Sequence, residues 1–187
     1  MGLYLFPREA LLETRPFLVA ASGGGADDLL VVPDGFSGAL PALPGVFVAA
    51  ARRPEGVDAS RYLSFADAGG PVRVGLDCDR GSLRGLLRQA AARFGPRLWA
   101  ELRPLRAVYP LPCPPDGGET PDAASFAALT EGRPAFFAEP FCCMACVLPE
   151  PPARLALFDT AETLRGKLAL ARELGAANIF GCAQTGF

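Results

Sequence analysis

The chain has 187 residues, half of them hydrophobic and a fifth charged, so it can bury the core of one domain and is not intrinsically disordered. Histidine is absent, which excludes Ser-His-Asp and Cys-His nucleophile systems, HExxH metalloproteases, and histidine-ligated zinc or haem. The net charge is −2 and the arginines are scattered along the chain, so no nucleic-acid partner is expected.

Short apolar runs of strand length recur along the chain. They cover residues 3–6, 17–21, 46–50, 72–76, 98–102, 135–138, 143–148, 155–158 and 178–180. Several are apolar at consecutive positions, which is typical of strands that are buried on both faces in parallel α/β sheets. The run at 29–32 fits either a helix or a strand, and prolines interrupt the chain around it.

Three helices are predicted from apolar spacing and from capping residues. They cover residues 83–94, 121–130 and 160–174. Ser82, Thr120 and Asp159 are the expected N-caps. Glu162 follows Asp159 by three residues, as a capping box requires. The third helix lies between the last two apolar runs, which predicts a βαβ unit. The chain, 1–187, is therefore predicted to be a single α/β domain with mainly parallel strands.

The length of the apolar segments predicts where the protein is located. No segment approaches the ~18 apolar residues that a membrane span needs, so no membrane partner is expected. The apolar run at the N-terminus is too short for a signal peptide. We therefore expect a cytoplasmic protein whose six cysteines are reduced thiols, and we expect no cofactor.

Carboxylates follow two of the predicted strands. Asp77 and Asp79 come after the run at 72–76 and are two residues apart, so on a continuing strand both point to one face. Sites assemble at the carboxyl ends of strands in α/β sheets, where this pair could bind a metal or alter each other's protonation. Alternatively, Asp79 shapes the turn into the next helix and Asp77 is solvated. Glu139, after the run at 135–138, is a third catalytic candidate or else a surface acid.

Residues 74–81 read Val-Gly-Leu-Asp-Cys-Asp-Arg-Gly. This stretch resembles the fourth-strand signature D-G-x-D-x-D-x-E of family-18 glycoside hydrolases, the chitinase-like barrels. Asp77 and Asp79 match its second and third acidic positions. The first acidic position falls on Val74, and the proton-donating Glu of the family falls on Gly81.

A second stretch, residues 157–167, is similar to the seventh-strand-to-helix passage of the same family. In that passage an acidic residue follows the strand and a lysine lies on the helix, which correspond here to Asp159 and Lys167. The following segment, from Ala169 to Phe180, continues into what resembles the family's last strand.

The resemblance implies a barrel of parallel strands with a carbohydrate ligand. A complete barrel usually needs ~250 residues, so a reduced or partial barrel is expected, and its open strand edges favour a homo-oligomer. The family's Glu acts as the acid, and Gly81 has no side chain that could donate a proton. The resemblance therefore implies a degenerate, non-catalytic protein that binds a glycan or a protein partner. The alternative is an active glycosidase with a relocated carboxyl, such as Glu101 or Glu139.

Three further residues are candidates for ligand binding. Trp99 and Tyr109 lie near a predicted strand end, and both ring types combine an apolar face with a hydrogen-bonding edge. Packing in the core is the alternative role for both. Asp159 is a ligand-binding candidate through the resemblance, although helix capping alone would explain it.

A C-x-x-C motif indicates a third possible function, besides a carbohydrate-binding protein and a glycosidase. Cys143 and Cys146 could form a redox-active pair or supply two ligands of a zinc site. The surrounding residues are apolar, and free cysteine packs as a small hydrophobe in buried strands. The motif is therefore compatible with a redox or metal-binding protein, or simply with core packing and no metal.

Overall fold

The computed structural model of the protein describes residues 2–6, 18–20, 29–31, 47–50, 52–79, 81–113, 117–176 and 178–182. In these ranges the helices are α1 Leu83–Phe94, α2 Ala123–Thr130 and α3 Ala161–Glu173. The strands are β1 Gly2–Phe6, β2 Leu18–Ala20, β3 Leu29–Val31, β4 Phe47–Ala49, β5 Tyr62–Leu63, β6 Val72–Gly75, β7 Leu98–Leu102, β8 Arg106–Pro110, β9 Ala135–Ala138, β10 Cys143–Leu148, β11 Arg154–Phe158 and β12 Asn178–Cys182. None of these helices is long and apolar enough to cross a membrane.

The first helix has the predicted bounds, and the second begins later than predicted. Helix α1 is capped by Ser82, whose hydroxyl oxygen accepts a hydrogen bond from the backbone N–H of Gly85 at 3.2 Å. Helix α2 is capped by Asp122 and not by Thr120, because the Asp122 carboxylate accepts from both the N–H and the hydroxyl of Ser125. A carboxylate that satisfies two donors fixes the start of the helix at the residue after it.

The predicted cap of the third helix is also wrong by one residue. Thr160 is the N-cap of α3, and its reciprocal partner in the capping box is Thr163 rather than Glu162. The Asp159 carboxylate is not available to cap the helix because it is turned towards Lys167.

Two sheets carry the parallel strands. One has the order β1-β12-β7-β6, with every neighbouring pair parallel. The other has the order β2-β3-β4-β5, in which only the β2–β3 pair is antiparallel. A parallel bridge between Ser64 and Val72 joins β5 to β6, with Ser64 N–H donating to Pro71 and Arg73 N–H donating to Ser64. The strands of these two sheets therefore form one continuous row, parallel except for β2, although the described ladders do not close into a barrel.

The third sheet corrects the predicted topology. Its order is β8-β11-β10-β9, and all of its neighbouring strands are antiparallel. Strand β11 belongs to this sheet, whereas β12 pairs with β1 and β7, so the predicted βαβ unit of β11, α3 and β12 is wrong. The prediction of mainly parallel strands therefore holds for the other two sheets and is wrong for the segment from β8 to β11.

The row of parallel strands has two different faces. One face packs against α1 and α3, and residues of β7 alternate between it and the opposite face, which we call the inner face. The buried cluster between the helices and the sheet contains Leu76, Leu83, Leu87, Ala90, Leu98, Ala100, Leu102, Leu164, Leu168, Leu170, Ala171, Ala176 and Ile179. The inner face holds a separate apolar cluster of Leu29, Ala49, Leu63, Trp99 and Phe180, with Phe47 against it.

Candidate functional site

Polar side chains gather on the inner face where parallel strands end. Glu101 is near the carboxyl end of β7 and is only 8% exposed. Its Oε1 lies 2.9 Å from Nε of Arg103, and its Oε2 lies 3.6 Å from Nη1 of Arg73 on the neighbouring strand β6. Arg73 is itself buried. Carboxyl ends of parallel strands are where α/β proteins place their sites, so this ion-pair network is a candidate binding centre.

Residues at the ends of the neighbouring strands β4 and β5 complete this centre. Arg73 Nη2 donates a 2.8 Å hydrogen bond to the carbonyl oxygen of Ala50, just after β4, and the Tyr62 hydroxyl donates to the same oxygen. The Arg73 guanidinium lies 3.8 Å from the ring centroid of Phe65, and the Arg103 guanidinium lies 5.8 Å from it. Phe65 follows β5 and is 54% exposed. An exposed aromatic ring thus lies over a largely buried charged network.

Asp77 belongs to the same face of the sheet. Gly75 is the register partner of Glu101, and register partners in a parallel sheet point the same way. A Cβ atom at Gly75 would collide with Oδ1 of Asp77, so the Asp77 carboxylate lies over the inner face of β6. The structure therefore places Asp77 on the face that carries Glu101.

The other member of the predicted acidic pair has a different partner. The Tyr109 hydroxyl, on β8, donates a hydrogen bond to Oδ2 of Asp79. A Cβ at Gly118 would press against the Tyr109 ring, so close backbone packing helps to fix the ring. Asp79 and Tyr109, predicted separately, are thus brought together, and they connect the loop after β6 to the antiparallel sheet.

Trp99 lies in the inner-face core. It is 2% exposed, and its ring centroid is 4.8 Å from that of Phe47 and 6.2 Å from that of Phe180. This is the packing role that the sequence left open as the alternative to ligand binding.

Asp159 and Glu139 do not join Asp77 and Asp79 in one ion-pair or hydrogen-bond network of the described residues. The Asp159 side chain is fully buried and accepts from Lys167 Nζ at 2.7 Å, from the Leu105 N–H at 2.7 Å and from the Thr163 hydroxyl. All three donors belong to the buried interior of the protein, so these contacts give Asp159 a structural role. Glu139 is exposed at the start of a short 3₁₀ helix after β9.

The signature that resembles family 18 lies on an unexpected strand. Residues 74–81 begin in the last two residues of β6, which is the sixth of the described strands in chain order, whereas the family's signature belongs to the fourth strand. Gly81 has a φ of 72°, a left-handed conformation that strains any side chain. A Glu at this position would therefore be disfavoured by the turn that leads into α1.

The C-x-x-C cysteines do not face each other. Cys143 packs in one buried cluster of the antiparallel sheet, with Leu105 and Leu157, whereas Cys146 packs in another with Val108 and Leu148. Residues three apart on a strand point to opposite faces, so this pair cannot share a metal or close a disulfide without breaking β10. Among the described residues, no three or more His, Cys, Asp or Glu side chains are grouped so that they could hold a metal ion.

The buried thiols give a prediction of pH dependence. Burial raises the pKa of Cys143 to about 11, from about 9. We expect Cys143 to resist a maleimide reagent in the folded protein near neutral pH, while exposed Cys113 reacts quickly. The thiol ionises at a lower pH in the unfolded chain than in the folded protein. The free energy of unfolding therefore falls as pH rises from about 9 towards 11. Peptide mass spectrometry after pulse labelling checks the reactivity, and fast labelling of Cys143 would contradict its burial.

Three residues of this centre were not predicted from the sequence: Phe65, Arg73 and Arg103. One signal was available for Arg73, because Val72, Arg73 and Val74 alternate apolar and charged positions inside a strand. A charged residue in such a strand indicates a polar face. Phe65 and Arg103 lie in loops, and only the fold brings them to Glu101.

Two solved structures are similar to part of this chain. The spore cortex-lytic enzyme SleL of Bacillus megaterium QM B1551 shows 13% identity and a TM-score of 0.42, covering 76% of this chain and 38% of its own. SleL of Bacillus cereus shows 15% identity and a TM-score of 0.41, covering 75% of this chain and 31% of its own. This chain thus spans about a third of the length of these enzymes. No protein-family model and no curated protein sequence matches it.

Proposed function

We propose that this protein is a glycoside-hydrolase-like α/β protein that binds a carbohydrate at the carboxyl ends of β5, β6 and β7 and does not hydrolyse it. The observation that carries the proposal is the largely buried Glu101 carboxylate, which shares the inner face with Asp77. It pairs with Arg73 and Arg103, and both guanidiniums lie against the exposed ring of Phe65. Hydroxyl groups of a sugar need such acceptors, and its C–H faces pack on aromatic rings.

The proposal that the protein does not hydrolyse its ligand rests on Gly81. This residue occupies the position of the proton-donating Glu in the stretch that resembles family 18, and glycine supplies no proton. Its φ of 72° shows that the backbone suits glycine, so loss of the acid fits the local turn. General acid catalysis of glycosidic cleavage needs a carboxylic acid at the leaving oxygen.

The scaffold proposed for this site is a reduced or partial barrel. Two observations support it: the Ser64–Val72 bridge makes the parallel strands one row, and Cα atoms of β1 and β2, at the two ends of that row, approach within 8 Å. In such an arrangement the inner face would surround the site, and the segment from β8 to β11 would be an excursion between two barrel strands.

A glycan array together with a fluorogenic chitooligosaccharide tests the proposal. We expect the wild-type protein to bind at least one glycan class and to release no fluorophore above a buffer control. An Asp79→Ala variant serves as the control for turnover. Robust turnover that is lost in this variant would contradict the non-catalytic proposal, and the absence of any binding glycan would contradict the carbohydrate proposal.

An active glycosidase is the second candidate, and one observation favours it. Asp77 and Glu101 lie on the same face of adjacent strands, and paired carboxylates are the usual machinery of glycoside hydrolysis. Turnover that disappears in Glu101→Gln would support this candidate. A location in the cytoplasm and a homo-oligomeric state stay predictions from the sequence.

A further inference from the structure

We propose that Phe65 and Glu101 form one sugar subsite, in which the Phe65 ring stacks on a neutral pyranose and Glu101 Oε2 accepts a hydrogen bond from one of its hydroxyl groups. This inference rests on the proposed carbohydrate function and names the residues and the ligand class of that site.

The Phe65 ring is held in place and remains accessible. The Arg73 guanidinium is 3.8 Å from its centroid, a cation–π distance, and Arg73 is itself fixed by its hydrogen bond to the Ala50 carbonyl. With 54% of Phe65 exposed, the ring still presents an open apolar surface to solvent. A large aromatic side chain that is ordered by buried neighbours yet exposed is suited to stacking on a ligand.

Glu101 supplies an independent second observation. Its Oε2 is buried and has no hydrogen-bond partner, and Nη1 of Arg73, which is 3.6 Å away, is beyond hydrogen-bond range. A buried carboxylate oxygen without a donor is costly, and a ligand hydroxyl would satisfy it. The same carboxylate is held by Arg103 through Oε1, so its position does not depend on the ligand.

The charges around the subsite select a neutral sugar. Glu101 and Asp77 lie on the face where the ligand hydroxyls would be placed, and both are acceptors when ionised. Arg73 and Arg103 balance these two charges, so the subsite has no excess positive charge to compensate for the desolvation of a uronic acid carboxylate. A neutral pyranose offers hydroxyl donors without added charge.

Calorimetric titration with chitotetraose, cellotetraose and tetragalacturonic acid tests the subsite. We expect a neutral oligosaccharide to bind, the galacturonate to bind at least about tenfold more weakly, and Glu101→Gln to weaken the neutral ligand about tenfold. Phe65→Ala and Phe65→Leu should each lose about tenfold, while Phe65→Trp retains binding. Phe137→Ala is the matched control, because Phe137 is 55% exposed on a different sheet and should bind normally.

The outcomes separate this inference from the proposed function. If the glycan array finds no ligand for the wild-type protein, both proposals fail. If a glycan binds but Phe65→Ala and Phe65→Leu match the wild type, only the subsite is wrong. Preferential binding of the galacturonate overturns the ligand class. Thermal melting establishes whether Glu101→Gln folds, and the Phe65 variants decide the question if it does not.

Discussion

Replacing Lys167 with methionine is expected to destabilise the protein by about 3–5 kcal/mol, because it leaves the Asp159 carboxylate buried without its counter-charge. Both side chains are fully buried, and Nζ of Lys167 lies 2.7 Å from Oδ2 of Asp159. The hydrogen bonds that Asp159 accepts from Leu105 and Thr163 do not replace a cation. Equilibrium unfolding in urea measures the change in free energy.

Two variants make this experiment specific. Arg84→Gln removes a solvent-exposed ion pair with Glu173 and should leave stability nearly unchanged, because water screens such pairs. Adding Asp159→Asn to Lys167→Met removes the orphaned charge and should recover part of the loss. A single Lys167→Met variant as stable as the wild type would show that the pair is not buried as described.

Trp99→Ala is expected to cost about 3–5 kcal/mol, as removal of a large core side chain leaves a cavity that its neighbours cannot fill. Trp99 is 2% exposed and packs against Phe47 and Phe180. Thermal or urea unfolding measures this loss. Trp99→Phe keeps most of the packing and should cost less than half as much.

The fluorescence of Trp99 distinguishes core packing from ligand contact. It is the single tryptophan of the chain, so all indole emission comes from it. We expect blue-shifted emission that a bound oligosaccharide leaves unchanged. A shift on addition of a glycan, together with a stable Trp99→Ala variant, would instead support the ligand-binding role predicted from the sequence.

Local signals in the sequence located most of the elements. The apolar spacing and the Ser82 cap gave α1 its correct bounds, and strands β7, β9 and β10 coincide with their apolar runs. Strand β8 follows Pro104 closely and ends at Pro110, and it was missed because proline signals a loop.

The partition into sheets could not be predicted in the same way. A short apolar run, such as residues 155–158 of β11, fits a parallel or an antiparallel strand, since pairing is decided by partners distant in sequence. The site could not be predicted from the sequence for the same reason. Asp77 and Glu101 are 24 positions apart, and only the register of β6 on β7 places them on one face.

Strands β7 and β12 pair directly, although the whole antiparallel sheet lies between them in the sequence. The two ends of that excursion are tied at its base, where Leu105 N–H donates to the Asp159 carboxylate and Asp159 N–H donates to the Leu105 carbonyl. Because the excursion leaves and rejoins the molecule at one point, a change in the length of its loops need not move the pairing of β7 with β12. A further anchor is the hydrogen bond from Tyr109 to Asp79, which any such change would have to preserve.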